Sequence, residues 1–482
     1  MKKAIALLLC ILIMPLVVYA EVDEVTFVFT KAGGFEGKPD NDIIKQEIEK
    51  RANIKLNHIA PPIANYDEKV NIILSSNDLP DLVKLQKAKF NDMYDYAEQG
   101  ALFDLAPYLD EYLPHVKEVV PEKALDLCRV GDGLYGIPVW SSPERMNFIV
   151  RGDWLDNLGL EVPTTLDELH DVMYAFTYND PDGNGIDDTY GLTARQIEGF
   201  EPIFGAYGFT GVAHNYWYLD DQGRLKPSAL HENAKECLEL LNAWYNEGLI
   251  DPEFVILKNE SEINDKAMKN QWGFYYNWWT FEPKIEAIMR EVDPEVRFDR
   301  IAPPIGPYGD SGVRGVGIQN GVVIMLANAK NPEACLRLLD WLHTEDGMMT
   351  MYAGVQDVHW VRKEDGTYYS TQQYQDDIKW IQYYSVFEPE PVLLKLENDY
   401  LVQSRRDAFK WKTITNDADG LVTEAELRYG TELNDFVCGM YSNFITGKRS
   451  LSEWDDFVQE FYGLGGEIWE NELNEVYRAK MG

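Results

Sequence analysis

Asp180, Asp182, Asn184 and Asp188 occupy positions one, three, five and nine of the run DPDGNGIDD, with Gly185 at position six. A hard cation needs several oxygen ligands around one point. This spacing offers three carboxylates, one amide and the main-chain carbonyl of Ile186 at position seven, and the glycine at six allows the sharp turn. The run matches the first three-quarters of an EF-hand-type calcium loop, so calcium is expected here, in a structural role because no residues suited to hydrolysis accompany it. An ordinary acidic turn is the competing reading. Asp417, Asp419 and Glu426 make a poorer match, with Thr415 standing where Asp is wanted. They more simply form a turn capping a helix opened by Thr423.

The other chemical resource is aromatic. Thirteen tryptophans, 28 tyrosines and 20 phenylalanines are generous for a core of this size, and flat rings stack well on the faces of sugars. Catalytic patterns are missing: no Gly-x-Ser-x-Gly elbow, no His-Glu-x-x-His helix and no phosphate loop occurs, and the seven histidines are dispersed. With 81 acidic residues, carboxylate pairs can always be found, so their presence neither supports nor dismisses a secreted glycoside hydrolase.

These residues must be positioned by an exported chain. Lys2 and Lys3 precede an apolar run from Ala4 to Val18, then the small residue Ala20 and the acidic start Glu21-Val22-Asp23-Glu24. That is a secretory signal peptide, with cleavage expected after Ala20. Cys10 could suggest a lipid anchor, but Leu7-Leu8-Leu9 lacks the small residue such processing wants. Removing twenty residues from 482 leaves 462, comfortable for two large lobes. Without Lys2 and Lys3, 42 basic residues face 81 acidic ones, a formal charge of −39. Such a surface repels nucleic acid and disfavours an anionic polymer unless the binding cleft is locally basic. Cys128, Cys237, Cys335 and Cys438 are scattered, and buried free thiols are expected although export permits a disulfide.

Strand and helix signals alternate. Glu24 to Phe29 reads as a strand, Asn41 to Ala52 as a helix, Ile54 to Ile59 as a strand, Tyr66 to Leu74 as a helix, and a strand opens at Leu79. This order implies βαβ units and a mostly parallel sheet. A strand at Met146 to Val150 precedes a helix capped near Thr165; further on come helix Asn233 to Glu247, strand Gly273 to Tyr276, a proline-glycine linker Ala302 to Gly312, strand Gly317 to Ala327, helix Asn331 to Leu342 and a helical tail from Thr423. Ligands of open α/β sheets bind beyond the carboxyl ends of strands, so the loops after Phe29, Val83, Trp140 and Tyr276 are cleft candidates. Lys84 and Gln86 supply donors there, and Trp140, Trp278 and Trp279 supply rings. Trp217 lies in a loop and reads either way, while Trp154 and Trp454 read as core rings.

The order of SSNDLPDLV (75–83), EQGALFDLAPYLDEYLP (98–114), GLYGIPVW (133–140), VRGDWLDNLGLEVPTTLDEL (150–169), WYNEGLIDPEF (244–254), NPEACLRLLDWL (331–342), GVQDVHW (354–360) and FITGKRSLSEWDDFVQEFYGLGG (444–466) resembles extracellular solute-binding protein family 1. The resemblance covers nearly the whole mature chain. It implies the α/β type II periplasmic-binding-protein fold, with two lobes joined by a hinge and the ligand cleft between them. The expected lobes are 21–141 with 315–375, and 142–314 with 376–482, the latter carrying the calcium loop. It also implies a binding component of an ABC importer that holds carbohydrate, an oligosaccharide above all, without chemistry, as a monomer that docks on permease subunits. A sensory co-receptor or a binder of peptide or another nutrient remains open.

In maltose-binding relatives an aromatic residue after the equivalent strand stacks on the sugar, which selects Trp278 or Trp279, then Trp360 of GVQDVHW. Arg314, Lys31 and Lys84 could neutralise a uronate carboxylate. Alginate-binding relatives carry a similar calcium loop with Glu directly after the ninth position, where this chain has Thr189. That change can lower affinity or let water complete the shell.

Overall fold

The computed structural model describes residues 22–30, 42–86, 89–317, 319–364, 366–388, 392, 394–395, 400–421 and 423–481. The leader, its cleavage position at Ala20, and Lys31 lie outside the described residues. Two sheets organise the rest. In the first, the strand order is Lys55–Ile59, Glu24–Val28, Leu82–Gln86, Gln319–Met325, Ile137–Trp140. Its first three strands run parallel, joined by helices Ile43–Ala52 and Tyr66–Leu74, and Gln319–Met325 is antiparallel to both neighbours. Ile44, Ile48 and Ala52, at helical spacing, turn one face of Ile43–Ala52 into the core.

The second sheet has the order Phe298–Ile301, Met146–Arg151, Trp272–Trp278, Tyr190–Leu192. Only the last pair is parallel. The expectation of a mostly parallel sheet therefore holds for the βαβ start of the chain and fails elsewhere. The physical reason is connectivity: Gln319–Met325 returns from the other lobe, pairs Gln319 with Trp140 and Gly321 with Gln86, and so enters where the parallel strands end.

The first sheet packs in one apolar core and the second in two, the smaller of which holds Ile149, Trp272, Tyr275 and Phe298. Val25, Phe27, Val83, Leu85, Ile137 and Val323 lie in the first core, and Phe148, Trp154, Phe176, Phe204, Phe274 and Tyr441 in the larger core of the second sheet. Trp154 is fully buried, edge-on to Phe176, and Trp454 packs against the same core. The chain passes between cores between Trp140 and Met146 and again between Val316 and Val322. A third passage comes later than the residue 375 expected from sequence. Ile381, Tyr384, Val386, Phe387, Val392 and Val402 still pack in the first core, because helix Gln372–Gln382 lays Tyr374 and Ile381 onto it. Cys128, Cys237 and Cys335 are buried, Cys438 is half-buried, and all four are free thiols. Among the described residues no helix is long and apolar enough to cross a membrane.

Candidate functional site

A cavity of about 440 Å³ opens between the lobes. Phe90 and Asn91 of the first lobe form one side; His214, Tyr216, Trp217 and Arg314 of the second form the other, closed by Asn416, Asp419 and the start of helix Glu424–Ile445 at Glu426 and Leu427. Local geometry explains how the second lobe presents its residues. Gly211 sits at φ +74°, where an added Cβ would lie 2.0 Å from the Tyr216 ring, so only glycine allows the chain to fold back there. The following turn Val212–His214 brings His214 to the rim, and Asn215 is held in the left-handed region with its amide donating to the Gly430 carbonyl at 3.0 Å. Trp217 is buried edge-on to Trp469, with ring centroids 5.1 Å apart.

The turn at 416–419, the poorer of the two metal-like runs, is structural. The Asn416 carbonyl oxygen accepts from the main-chain N–H of Trp217 and of Ala418, the Asp417 carboxylate accepts from Leu219 N–H, and Thr423 Oγ1 caps the helix by accepting from Glu426 N–H.

Beneath the cavity lies a buried polar cluster. Arg314 extends from the short strand Val313–Arg314, which pairs with Thr413–Ile414. Its Nη2 donates to Glu198 Oε1 at 3.2 Å. Arg195 reaches the other oxygen of Glu198 at 2.5 Å, and His214 Nε2 lies 3.3 Å from Oε1. Burial alone would raise the Glu198 carboxyl, but His214, Arg195 and Arg314 together hold it down to about 2. Glu201 behaves oppositely. It is fully buried, and burial pushes its carboxyl up to about 8 against the pull of Arg314 and the N–H of Gly211, which donates to Oε2 at 2.7 Å. Tyr216 donates its hydroxyl proton to the Gly315 carbonyl, just after the strand Val313–Arg314.

Of the residues singled out from sequence, the structure brings Arg314 and Trp217 together at this cavity. Trp278 ends the strand Trp272–Trp278 and packs against the second core, and Trp279 follows it and packs against the first; both are half-buried. Trp279 N–H donates to the Arg145 carbonyl, Ser404 Oγ donates to the Trp279 carbonyl, and the Arg405 guanidinium lies 5.7 Å from the Trp279 ring. Trp140, also half-buried, ends its strand opposite Gln319. Lys84 is buried and donates to the Val386 carbonyl at 3.3 Å, and Gln86 ends the same strand opposite Gly321. Trp360 lies in the first lobe's core, its indole N–H donating to the Gly354 carbonyl and its ring 5.2 Å from Tyr368. Phe90, Asn91, His214 and Tyr216 were not singled out; they reach the cavity through pairings of remote segments, which leave no local pattern.

At the acidic run, positive φ at Asp180, Gly183 and Gly185 coils the chain. Asn184 donates its amide to Asp182 at 2.9 Å and to Asp188 at 3.4 Å, so three of the expected ligands converge. Burial, then the charges of Asp188 and Asp180, raise the Asp182 carboxyl, and Asp180 Oδ1 is buried without a partner. These donors suit a hard cation. Yet among the described residues no three of His, Cys, Asp and Glu stand close enough together to hold a metal in this structure. Thr189 donates its hydroxyl to the Phe176 carbonyl, which anchors the end of the loop to the core.

A fold of two α/β lobes with a cavity between them defines a class of binding proteins, and comparison with known proteins agrees. The family model for bacterial extracellular solute-binding proteins matches residues 36–349, and the chain belongs to that family. The polygalacturonan/rhamnogalacturonan-binding protein YtcQ of Bacillus subtilis (strain 168) is 25% identical over 462 residues, 92% of this chain and 90% of YtcQ. An extracellular solute-binding protein of Bifidobacterium longum subsp. infantis has a TM-score of 0.75 at 18% identity, over 95% of this chain and 99% of that one. An EF-hand mutant of the ABC-transporter substrate-binding protein FusA of S. pneumoniae, in complex with fructo-nystose, has a TM-score of 0.66 at 20% identity, over 95% and 99%. At these identities the two structures establish the fold.

Proposed function

We propose that the chain is the substrate-binding component of an ABC importer, which holds a carbohydrate in the interlobe cavity without chemistry and presents it to permease subunits as a monomer. The observation that carries this reading is the polar and aromatic cavity bounded by both lobes, with Trp217, Tyr216, His214 and Arg314 on one side and Phe90 and Asn91 on the other. Rings provide faces for sugar stacking and the side-chain donors and acceptors orient hydroxyls. YtcQ and FusA, which bear the names of glycan and transport-substrate binders, support the same class. Trp278, Trp279, Trp140, Lys84 and Gln86 belong to the proposed site as residues that meet ligand when the lobes move about the passages beside them.

In this reading the first lobe comprises residues 21–141 and 315–402, and the second 142–314 with the chain beyond 402. Asp180, Asp182, Asn184, the Ile186 carbonyl and Asp188 hold a structural calcium, with Thr189 leaving part of the coordination to water. Cleavage follows Ala20. The test is a thermal-shift screen of the mature protein against neutral and uronate oligosaccharides, in calcium and in chelator, because a ligand bound only by the native state stabilises it by mass action. A glycan-dependent rise is expected, with the ligand recovered unchanged. Silence toward sugars with a response to peptides overturns the carbohydrate assignment, and turnover of the glycan overturns the non-catalytic one.

A further inference from the structure

Beside the interlobe cavity lies another of about 440 Å³, enclosed by the second lobe alone. One wall is the turn Gln196–Phe200, and the facing wall is helix Glu424–Ile445, whose Asn434, Cys438, Gly439 and Ser442 line it. His214 borders both cavities. Glu198 stands between a cation from each, Arg314 of the cleft and Arg195 of the neighbouring cavity. The two cavities therefore meet at His214 and at the ion pairs that Glu198 makes with Arg314 and Arg195. We propose that this second cavity is a subsite continuing the cleft, which receives an uncharged, hydroxyl-rich segment of a carbohydrate chain whose other end lies between the lobes. The inference rests on the carbohydrate reading above.

The chemistry of the wall carries the choice of ligand class. Asn434 and Asn443 offer amides, and the carbonyl oxygen of Asn434 is buried without a partner. Ser442 and Thr446 donate their hydroxyl protons to helix carbonyls at 2.8 Å, which leaves their oxygens as acceptors. Arg195 is committed to Glu198, and the exposed Lys448 stands against one further carboxylate, Asp435, so the lining's two cations are matched by two acids and offer an entering carboxylate no surplus positive charge. Hydroxyls, which donate and accept, suit a lining of this kind. The volume lies within the range of about 300–1,000 Å³ usual for small-ligand sites.

Gly439 provides the test. A Cβ built there meets nothing within 4 Å, and the better helix propensity of leucine makes Gly439→Leu compatible with the fold while its side chain takes up cavity space. The mature parent and this variant are titrated calorimetrically with fructooligosaccharides of increasing length and with oligogalacturonides of the same lengths. In the parent, affinity for the neutral series should rise about tenfold from shortest to longest, an easily resolved change in binding free energy. In Gly439→Leu the rise should vanish while the shortest chain binds as in the parent. Long neutral chains should also slow alkylation of Cys438, the half-buried thiol of the four described. Affinity independent of length in the parent, or an undiminished rise in the variant, overturns the subsite and leaves the cleft reading standing. A length-dependent rise confined to the uronate series overturns the uncharged class. A parent that binds neither series refutes the carbohydrate reading and this subsite with it.

Discussion

The two lobes meet the cleft with unlike surfaces. On the second lobe the cavity wall rests on side chains that also hold the fold together: Glu198 joins Arg195 and Arg314, Tyr216 is tied to Gly315, and Trp217 packs on Trp469. On the first lobe Phe90 and Asn91 sit at the start of the helix Asp92–Glu98, and Lys84 is occupied by the Val386 carbonyl. Residues proposed to meet ligand thus also hold the fold together across the second lobe's wall, and in the first lobe at Lys84.

The largest test of this contrast is Arg314→Ala, which strips the buried cation from Glu198 and Glu201. It should destabilise the native state by about 3–5 kcal/mol, as removal of one member of a buried pair does, read from denaturant unfolding. An unchanged midpoint would dissolve the distinction between the lobes. Next, Asp182→Ala should remove calcium-dependent stabilisation, about 2.7 kcal/mol when calcium stands at 100 times its dissociation constant. A parent whose melting ignores chelator decides against calcium at once. Smaller still, Trp278→Ala should weaken glycan binding by about 1 kcal/mol without altering the melting temperature of the free protein. Unchanged affinity in titration removes that ring from the site.

The finest probe is pH. Glu201, raised from 4.5 to about 8 by burial, adds stability that is complete below pH 4.5 and is lost as pH climbs through 8. Glu198, held at about 2, adds stability that is present above 4.5 and is lost as pH falls toward 2. Glu201→Gln should therefore flatten the decline in stability between pH 5 and 8 and leave the acid limb intact. A variant curve parallel to the parent's across that window would show that Glu201 does not titrate there.

Elements with local signals were legible in the sequence. Helix Tyr66–Leu74 follows its periodicity, and helix Leu166–Tyr178 begins at Thr165, whose hydroxyl accepts from Glu168 N–H at 3.2 Å. The strand expected from Leu79 begins instead at Leu82. Pro80 has no N–H to give a ladder, and Asp81 turns its carboxylate to the N–H groups of Thr26 and Lys330. Trp360, selected through the resemblance of GVQDVHW, packs in the first core, in a hairpin of Trp360–Arg362 and Tyr368–Ser370 too short to show a period of its own. At the cavity, Arg314 and Trp217 stand out as residue types. Their neighbours arrive by long-range pairing, such as Trp217 with Asn416 across 199 positions, and no window along the chain contains both.

One feature of the first sheet bears on how the molecule comes into being. Its strand Gln319–Met325 lies between Leu82–Gln86 and Ile137–Trp140, so the earliest strands to be synthesised remain without a central neighbour until the chain has run past residue 325. The second sheet draws all its strands from 146–301. Because closing a long loop must precede the contacts that reward it, the inner lobe of the sequence can assemble its sheet first, while the amino-terminal half waits with open edges. That delay makes the newly made strands the segment most in need of protection from aggregation.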